Sequence, residues 1–303
     1  MTDQADRLRQ IISEMKLKQA KAQTDHQSVN MAHKARIITI TSGKGGVGKS
    51  NITVNLAISL SEMGQRVIVL DADFGLSNID ILFGITPEFT LADVVYDRKN
   101  ILQILSDGPK NIRFISGGSG VEELIKLKKE SLDRFIEHIK LLDNLCDIIL
   151  VDTGAGLSNN VMNFAVAADE VLLIVTTEPT SITDAYALVK MLSNHYKTAN
   201  IKLIVNKAES SKEALDILNK LYVVAKKFLN IKLIPLGYVL QDDKVIEAVK
   251  NQQPFYLSNP RCLASRNIKE ISYKLLDMDK GLRNYEVSGV KGFFNRVANF
   301  VNG

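Results

Sequence analysis

Ser42-Gly43-Lys44-Gly45-Gly46-Val47-Gly48-Lys49-Ser50 decides the fold. Ahead of it, Arg36-Ile37-Ile38-Thr39-Ile40-Thr41 reads as a buried strand. Behind it, Asn51 to Met63, with Ile52, Leu56 and Leu60 apolar, reads as a helix. A glycine-rich loop between a strand and a helix is the context a phosphate-binding loop requires. The glycines let backbone N–H groups converge on phosphate oxygens, and the helix N-terminus adds favourable partial charge. Lys49 is placed to reach the β- and γ-phosphates, and the Ser50 hydroxyl to hold Mg²⁺. Lys44 adds a second lysine at the start of the loop. The segment from Gly43 to Asn51 is therefore expected to bind a nucleoside triphosphate.

Downstream, short apolar strands alternate with helical patterns as far as about residue 240. Arg66-Val67-Ile68-Val69-Leu70 leads to Asp71 and Asp73, Ile112–Ile115 to Gly117-Gly118, and Asp147–Val151 to Asp152. Val171–Val175, Ile201–Val205 and Leu236–Val239 follow. Near-continuous apolar strands separated by helices predict a doubly wound, mostly parallel α/β sheet covered on both faces. Polar residues gather at the C-terminal ends of these strands, where open α/β sheets bind ligands.

Bulk properties narrow the class. The chain has 303 residues, 46% of them hydrophobic, enough for one α/β domain with appendages. No apolar run approaches a membrane span and no signal peptide precedes the loop, so a cytosolic protein is expected. Cys146 and Cys262 suit a reducing compartment. Without clustered Cys or His, no zinc or iron–sulfur site is expected, which argues against an iron–sulfur carrier. His26, His33, His138 and His195 fall outside the polar constellation. Net charge is +4, with seven basic against four acidic residues in 1–36 and four against one in 280–303. The body between is mildly acidic, which argues against specific DNA binding.

The chemistry concentrates in two carboxylate groups. Asp71-Ala72-Asp73-Phe74-Gly75-Leu76-Ser77-Asn78-Ile79-Asp80 follows one strand, and Asp152-Thr153-Gly154-Ala155-Gly156 follows another. Near a triphosphate, one carboxylate can position the Mg²⁺ hydration shell while another orients the attacking water. Asp71, Asp73 and Asp152 are the candidates for these two tasks, beside Ser50 and Lys49 of the loop. The adjacent glycines permit the loops to rearrange when the γ-phosphate leaves.

Lys44-Gly45-Gly46-Val47-Gly48-Lys49-Ser50 resembles the deviant Walker A loop of the MinD/ParA family of dimerising P-loop ATPases. The segment from Asp71 to Asn78 resembles that family's first switch, and Asp152–Gly156 its second switch and Walker B aspartate. The resemblance spans roughly residues 36–260. It implies a homodimer formed around ATP, with Lys44 reaching the partner's nucleotide, Lys44, Lys49, Asp73 and Asp152 as the catalytic set, Asp73 orienting water, and Ser50, Asp71 and Asp152 as the Mg²⁺ residues, Asp152 through water. Hydrolysis to ADP, at a slow regulatory rate, would reset the switch. Asn206 resembles the family's adenine-recognising asparagine, and Leu240, Gln241 and Asp242 occupy the loop beside the base. Two positions depart from the family: Gly154 and the region of Leu240 lack its usual prolines. A looser second switch is expected from the first departure, and the second weakens the assignment of base contacts.

The ends separate the members of the family. Asp3-Gln4-Ala5, with Leu8 and Arg9 beyond, resembles the N-terminal segment of the FlhG (FleN/YlxH) regulators of flagellar number and placement. In those proteins this segment stimulates the signal-recognition-type GTPase FlhF. Gln4 is the candidate activating residue, its amide able to act near a partner's attacking water by analogy with glutamine-dependent GTPases. After Gly289, Val290, Phe293, Phe294, Val297, Phe300 and Val301 recur at helical spacing, predicting an amphipathic helix. It resembles the membrane-targeting helix of MinD and FlhG proteins. That implies anionic lipid as a further partner, with reversible peripheral binding to the inner face of the cell membrane, and flagellar switch-ring proteins as readers of the dimer. The same helix packing back on the body is the competing reading. The expected organisation is a partner-activating helix over 1–22, a linker over 23–35, an ATPase domain over 36–279 and a membrane-targeting segment over 280–303. A MinD-type division-site ATPase, or a ParA-type ATPase that positions DNA or cargo, is the alternative.

Overall fold

The computed structural model describes residues 33–73, 78–118, 120, 129–195, 200–281 and 288–302. The candidate partner residues Asp3, Gln4, Ala5, Leu8 and Arg9 lie outside the described residues, as do the side chains of Phe300 and Val301 and residues 74–77 of the first switch.

Eight strands form one sheet in the order β3-β4-β2-β5-β1-β6-β7-β8. They are β1 (Arg36–Thr41), β2 (Val67–Ala72), β3 (Ser106–Asp107), β4 (Arg113–Ile115), β5 (Ile148–Thr153), β6 (Glu170–Thr176), β7 (Ile201–Ala208) and β8 (Ile234–Leu240). All pairings are parallel except β3 with β4 at the edge. Ser106 and Asp107 carry no apolar alternation, which is why this two-residue strand leaves no trace in the sequence pattern.

Alternation within each strand builds two apolar layers. Ile38, Ile40, Val69, Leu150, Leu172 and Ile174 point to one face, where they meet helix α1 (Lys49–Glu62) and the helix Leu263–Gly281. Ile37, Ile68, Leu70, Ile149 and Val151 point to the other. Both faces are covered, as continuous apolar strands require. The face packing on α1 also holds α2 (Ile79–Phe83), α8 (Asp243–Lys250), α9 (Phe255–Ser258) and the Leu263–Gly281 helix, which is α10. The opposite face carries α3 (Leu91–Val95), α4 (Lys129–Ile139), α5 (Asn159–Ala167), α6 (Pro179–His195), α7 (Ser211–Leu229) and α11 (Gly289–Asn302). Strand order reverses at β1, so the crevice for a ligand opens at its C-terminal end, where the glycine-rich loop begins.

The C-terminal helix packs on the domain in this structure, as the competing reading of its sequence has it. Val290, Phe293, Phe294 and Val297 of α11 are buried in the same core cluster as Ile37 and Phe135. Phe294 meets Phe135 edge-on at 5.4 Å, and Phe293 lies 5.9 Å from Phe164. The amphipathic face is real, and in this structure the protein's own core covers it. Polar contacts fix the helix start. Asp143 Oδ1 accepts from the N–H groups of Ala35 at 2.9 Å and Val290 at 3.0 Å. Asp169 accepts from Ile37 N–H at 2.9 Å through Oδ2, and from the Ser288 hydroxyl at 2.7 Å through Oδ1. Arg296 donates to the Ala167 carbonyl at 2.8 Å and to the Ser288 hydroxyl at 2.6 Å. Two carboxylates thus tie the entry of β1 to the entry of α11.

At the opposite end of the sheet from the loop, Glu170 accepts from both Arg36 and Lys202 in the interior. Burial would push the Glu170 carboxyl up, but these two cations outweigh it and hold it below the usual range. Cys146 is buried against the Leu142 carbonyl and its thiol is pushed up to about 12 by that burial, whereas Cys262 is only half-buried. No described helix is long and apolar enough to cross a membrane.

Candidate functional site

Helix α1 begins with Gly48 as its N-cap, at φ +93, and no side chain caps it. Its first-turn N–H groups are thus left for an anion, and no carboxylate in the first turn competes. Gly48 is required twice over. Its φ is one that side chains rarely adopt, and a Cβ there would lie 2.5 Å from Asn206 Nδ2.

Strand ends bring the predicted carboxylates to the same place. Asp71 pairs in register with Asp152 across β2 and β5. Asp152 is fully buried, with Thr53 Oγ1 at 3.0 Å from its Oδ1. Its Oδ2 is buried and without a partner among the described residues. Burial pushes the Asp152 carboxyl up to about 7. The Ser50 hydroxyl pulls it down, Asp71 pushes it up, and Lys49 and Thr53 pull it down. An orphaned carboxylate oxygen beside a serine hydroxyl and a second carboxylate is a donor set that fits a hard divalent cation. Lys49 is almost fully buried, and its charge reaches both Asp152 and Asp73.

Asp71, the second carboxylate of that set, also holds its own loop. Its Oδ1 accepts from Asp73 N–H at 3.1 Å, and its Oδ2 from the N–H groups of Asn78 at 3.1 Å and Ile79 at 3.3 Å. The carboxylate braces both ends of the first switch. Asp73 emerges from that brace half-buried. Its carboxyl is raised by burial and lowered in part by Lys49. A Cβ on Gly154 would stand 3.0 Å from Asp73 Oδ1. The residue where the family carries proline therefore leaves room for the first switch's aspartate.

Lys44 is partly exposed and donates to Glu178 Oε2 at 2.7 Å, on the turn after β6, and to Thr180 Oγ1 at 3.0 Å, in the first turn of α6. Within this protomer it is parked beside the loop. Glu178 and Thr180 were missed by sequence reasoning, since nothing in their spacing links them to residue 44.

A cavity of about 300 Å³ opens beside Gly48 and Asn51, and Asn206, Leu240, Gln241 and Asp242 all line it. Ile52, Val239, Val245 and Phe255 give it apolar walls suited to a flat base. Leu240 N–H is engaged by Asn267 Oδ1 at 3.1 Å and Gln241 N–H by the Ala208 carbonyl at 2.8 Å. The Asp242 carboxylate caps α8 through Lys244 N–H at 3.0 Å and reaches Ala264 N–H at 3.3 Å. These residues shape the cavity while their own polar groups hold the loop. Lys207, absent from the sequence-derived set, also lines the cavity.

Comparison with known proteins gives the family. A family model described as an AAA domain matches residues 35–205. Antiactivator FleN of Pseudomonas aeruginosa is 40% identical over 80% of this chain and 87% of its own length. The flagellum site-determining protein YlxH of Helicobacter pylori is 33% identical over 99% of this chain and all of its own. Among solved structures, the MinC:MinD cell division protein complex of Aquifex aeolicus superposes with a TM-score of 0.64 at 26% identity, covering 80% of this chain and 96% of that one. The chain belongs to the FleN/YlxH (FlhG) family of MinD/ParA-type ATP-binding P-loop proteins.

Proposed function

We propose that this protein is an ATP-driven dimerising switch that regulates the number and placement of flagella. The observation that carries the switch is the partnerless Asp152 oxygen, buried beside Ser50 and Lys49 at the uncapped start of α1. Kinship with FleN and YlxH supplies the flagellar process.

Ser50 and Asp152 would hold Mg²⁺, with Asp71 behind them and water completing the shell. Held there, Mg²⁺ would neutralise negative charge on the nucleotide's phosphates. Lys49 balances the remaining charge from inside the protomer. Asp73, shielded by burial and facing Gly154, orients water. Lys44 leaves Glu178 for the partner's nucleotide, so the homodimer forms only around ATP. The cavity behind Gly48 takes the adenine, with Asn206 at its mouth, and hydrolysis to ADP returns the monomer.

Membrane binding belongs to α11. In the docked state Val290, Phe293, Phe294 and Val297 are covered. Released together with Phe300 and Val301, they would insert shallowly into anionic lipid on the inner face of the membrane. One copy binds marginally and two copies on a dimer gain effective concentration. Residues 1–22, with Asp3, Gln4, Ala5, Leu8 and Arg9, stimulate the GTPase FlhF, and switch-ring proteins read the assembled dimer.

The test is light scattering and anionic-vesicle flotation of Asp73→Ala with ATP or ADP. A dimer that floats only with ATP is expected. Equal mass and flotation in both nucleotides would refute the switch. FlhF hydrolysis with a peptide of residues 1–22, and its Gln4→Ala variant, tests the N-terminal role separately.

A further inference from the structure

Consecutive residues in a strand point to opposite faces. Asn206 and Lys207, at the end of β7, break this rule. Asn206 Nδ2 donates to the Val47 carbonyl at 2.8 Å, and Lys207 Nζ donates to the Gly46 carbonyl at 2.8 Å. Two neighbouring side chains therefore grip two neighbouring peptides of the same loop. The backbone makes this possible. Pairing between β7 and β8 shifts register between Asn206 and Ala208, and Lys207 sits at φ +57, a left-handed conformation uncommon for a non-glycine residue. Bulges of this kind re-aim side chains next to functional sites, and local strain persists where the surroundings enforce it.

In a trans peptide the carbonyl and the following N–H point in opposite directions. A carbonyl of Gly46 drawn toward Lys207 turns the N–H of Val47 the other way. A carbonyl of Val47 drawn toward Asn206 does the same for the N–H of Gly48. Both N–H groups are thereby aimed away from β7, in the loop that wraps the start of α1.

We propose that Lys207 is a positioning residue for phosphate binding: with Asn206 it holds the Gly46 and Val47 carbonyls outward, so that the N–H groups of Val47 and Gly48 face the phosphates before nucleotide arrives. The ammonium acts on the loop and does not touch the ligand. A charge-assisted hydrogen bond from an exposed lysine is strong enough for this and leaves the core untouched. The inference rests on the nucleotide site proposed above.

The test compares wild-type protein with Lys207→Met, Lys207→Gly and Lys207→Arg. Mg-ADP and adenosine are titrated by calorimetry, and the Val47 and Gly48 amide resonances are followed without nucleotide. Met and Gly should each weaken ADP binding about tenfold, a change equivalent to about 1.4 kcal/mol, while adenosine binding stays constant. Arg should restore ADP binding. The Val47 and Gly48 resonances should move in the nucleotide-free Met and Gly variants, because the peptides lose their anchor. Unmoved resonances, or an equal loss for adenosine, would overturn the proposal in favour of a direct contact with nucleotide or of no role. Wild-type protein that fails to bind ADP would sink the nucleotide site itself, a different outcome from variants that match a binding wild type.

Discussion

Asp169→Asn should loosen α11 from the body without altering any residue the helix would offer to lipid. Asp169 lies just before β6, and its two oxygens serve different masters. Oδ2 accepts from Ile37 N–H at 2.9 Å, while Oδ1 takes the Ser288 N–H at 3.2 Å and hydroxyl at 2.7 Å. An asparagine has one acceptor oxygen, so its amide nitrogen must face a donor on one side or the other. Losing a hydrogen bond to a charged group costs about 1.5–3 kcal/mol. The Arg296 pair adds little, because at 3.6 Å its guanidinium is more than a third exposed and screened. Taking about 1.5 kcal/mol against docking, the undocking constant rises about tenfold. Hydrogen exchange over residues 290–302 should then quicken about tenfold in nucleotide-free protein, with β7 and α7 unchanged. Flotation with anionic vesicles should rise in ADP. Unchanged exchange in α11, with a urea midpoint lowered across the whole protein, would refute the reasoning. It would mean that Asp169 braces β1 and not the helix.

Three further outcomes follow from the geometry. Gly48→Ala places a Cβ 2.5 Å from Asn206 Nδ2 at φ +93 and should weaken calorimetric ADP binding by about tenfold or more. Gly154→Ala crowds Asp73 Oδ1 at 3.0 Å, so steady-state ATP turnover should fall several-fold, roughly as expected for small misplacements, with ATP affinity kept. Glu170→Gln removes the buried carboxylate on which Arg36 and Lys202 converge and should cost up to about 3–5 kcal/mol in urea unfolding. Because Glu170 titrates lower when folded than when unfolded, its contribution is present above the ordinary glutamate value and lost as pH falls through its folded value. Urea midpoints taken from about pH 7 to about pH 3 should therefore decline more steeply in wild type than in Glu170→Gln.

The sheet was legible because fully buried parallel strands leave continuous apolar runs, and Val171–Val175 or Ile201–Val205 admit little else. The phosphate loop was legible because its glycines and lysines sit close together in sequence. Asn206, Leu240, Gln241 and Asp242 line one cavity because they stand near the end of β7 and at or just beyond the end of β8. What stayed hidden is what depends on backbone detail or on distant pairs. Lys207 acts through a bulge that no residue pattern announces. Glu178 holds Lys44 across 134 positions of chain. Asp71, read from the motif as a metal residue, also accepts from three N–H groups of its own loop, contacts that no residue pattern announces.

The C-terminal helix shows why an amphipathic pattern alone does not name its counterpart. Val290, Phe293, Phe294 and Val297 would satisfy a bilayer or a protein groove equally, since burial of apolar area is non-directional. The distinguishing information lies in polar residues outside the stripe. Lipid needs no partner for Ser288 or for the first N–H groups of the helix. The body provides one for each: Asp169 for Ser288 and Asp143 for Val290 N–H. Arg296, which on a membrane surface would meet anionic headgroups, here closes on the Ala167 carbonyl and the Ser288 hydroxyl. Such a specific set of donors and acceptors marks the docked state as a built conformation and not incidental packing. With lipid as the proposed second counterpart, the helix would be held by a difference between two favourable states, and a perturbation near 1.5 kcal/mol, as at Asp169, would change the ratio of the two about tenfold.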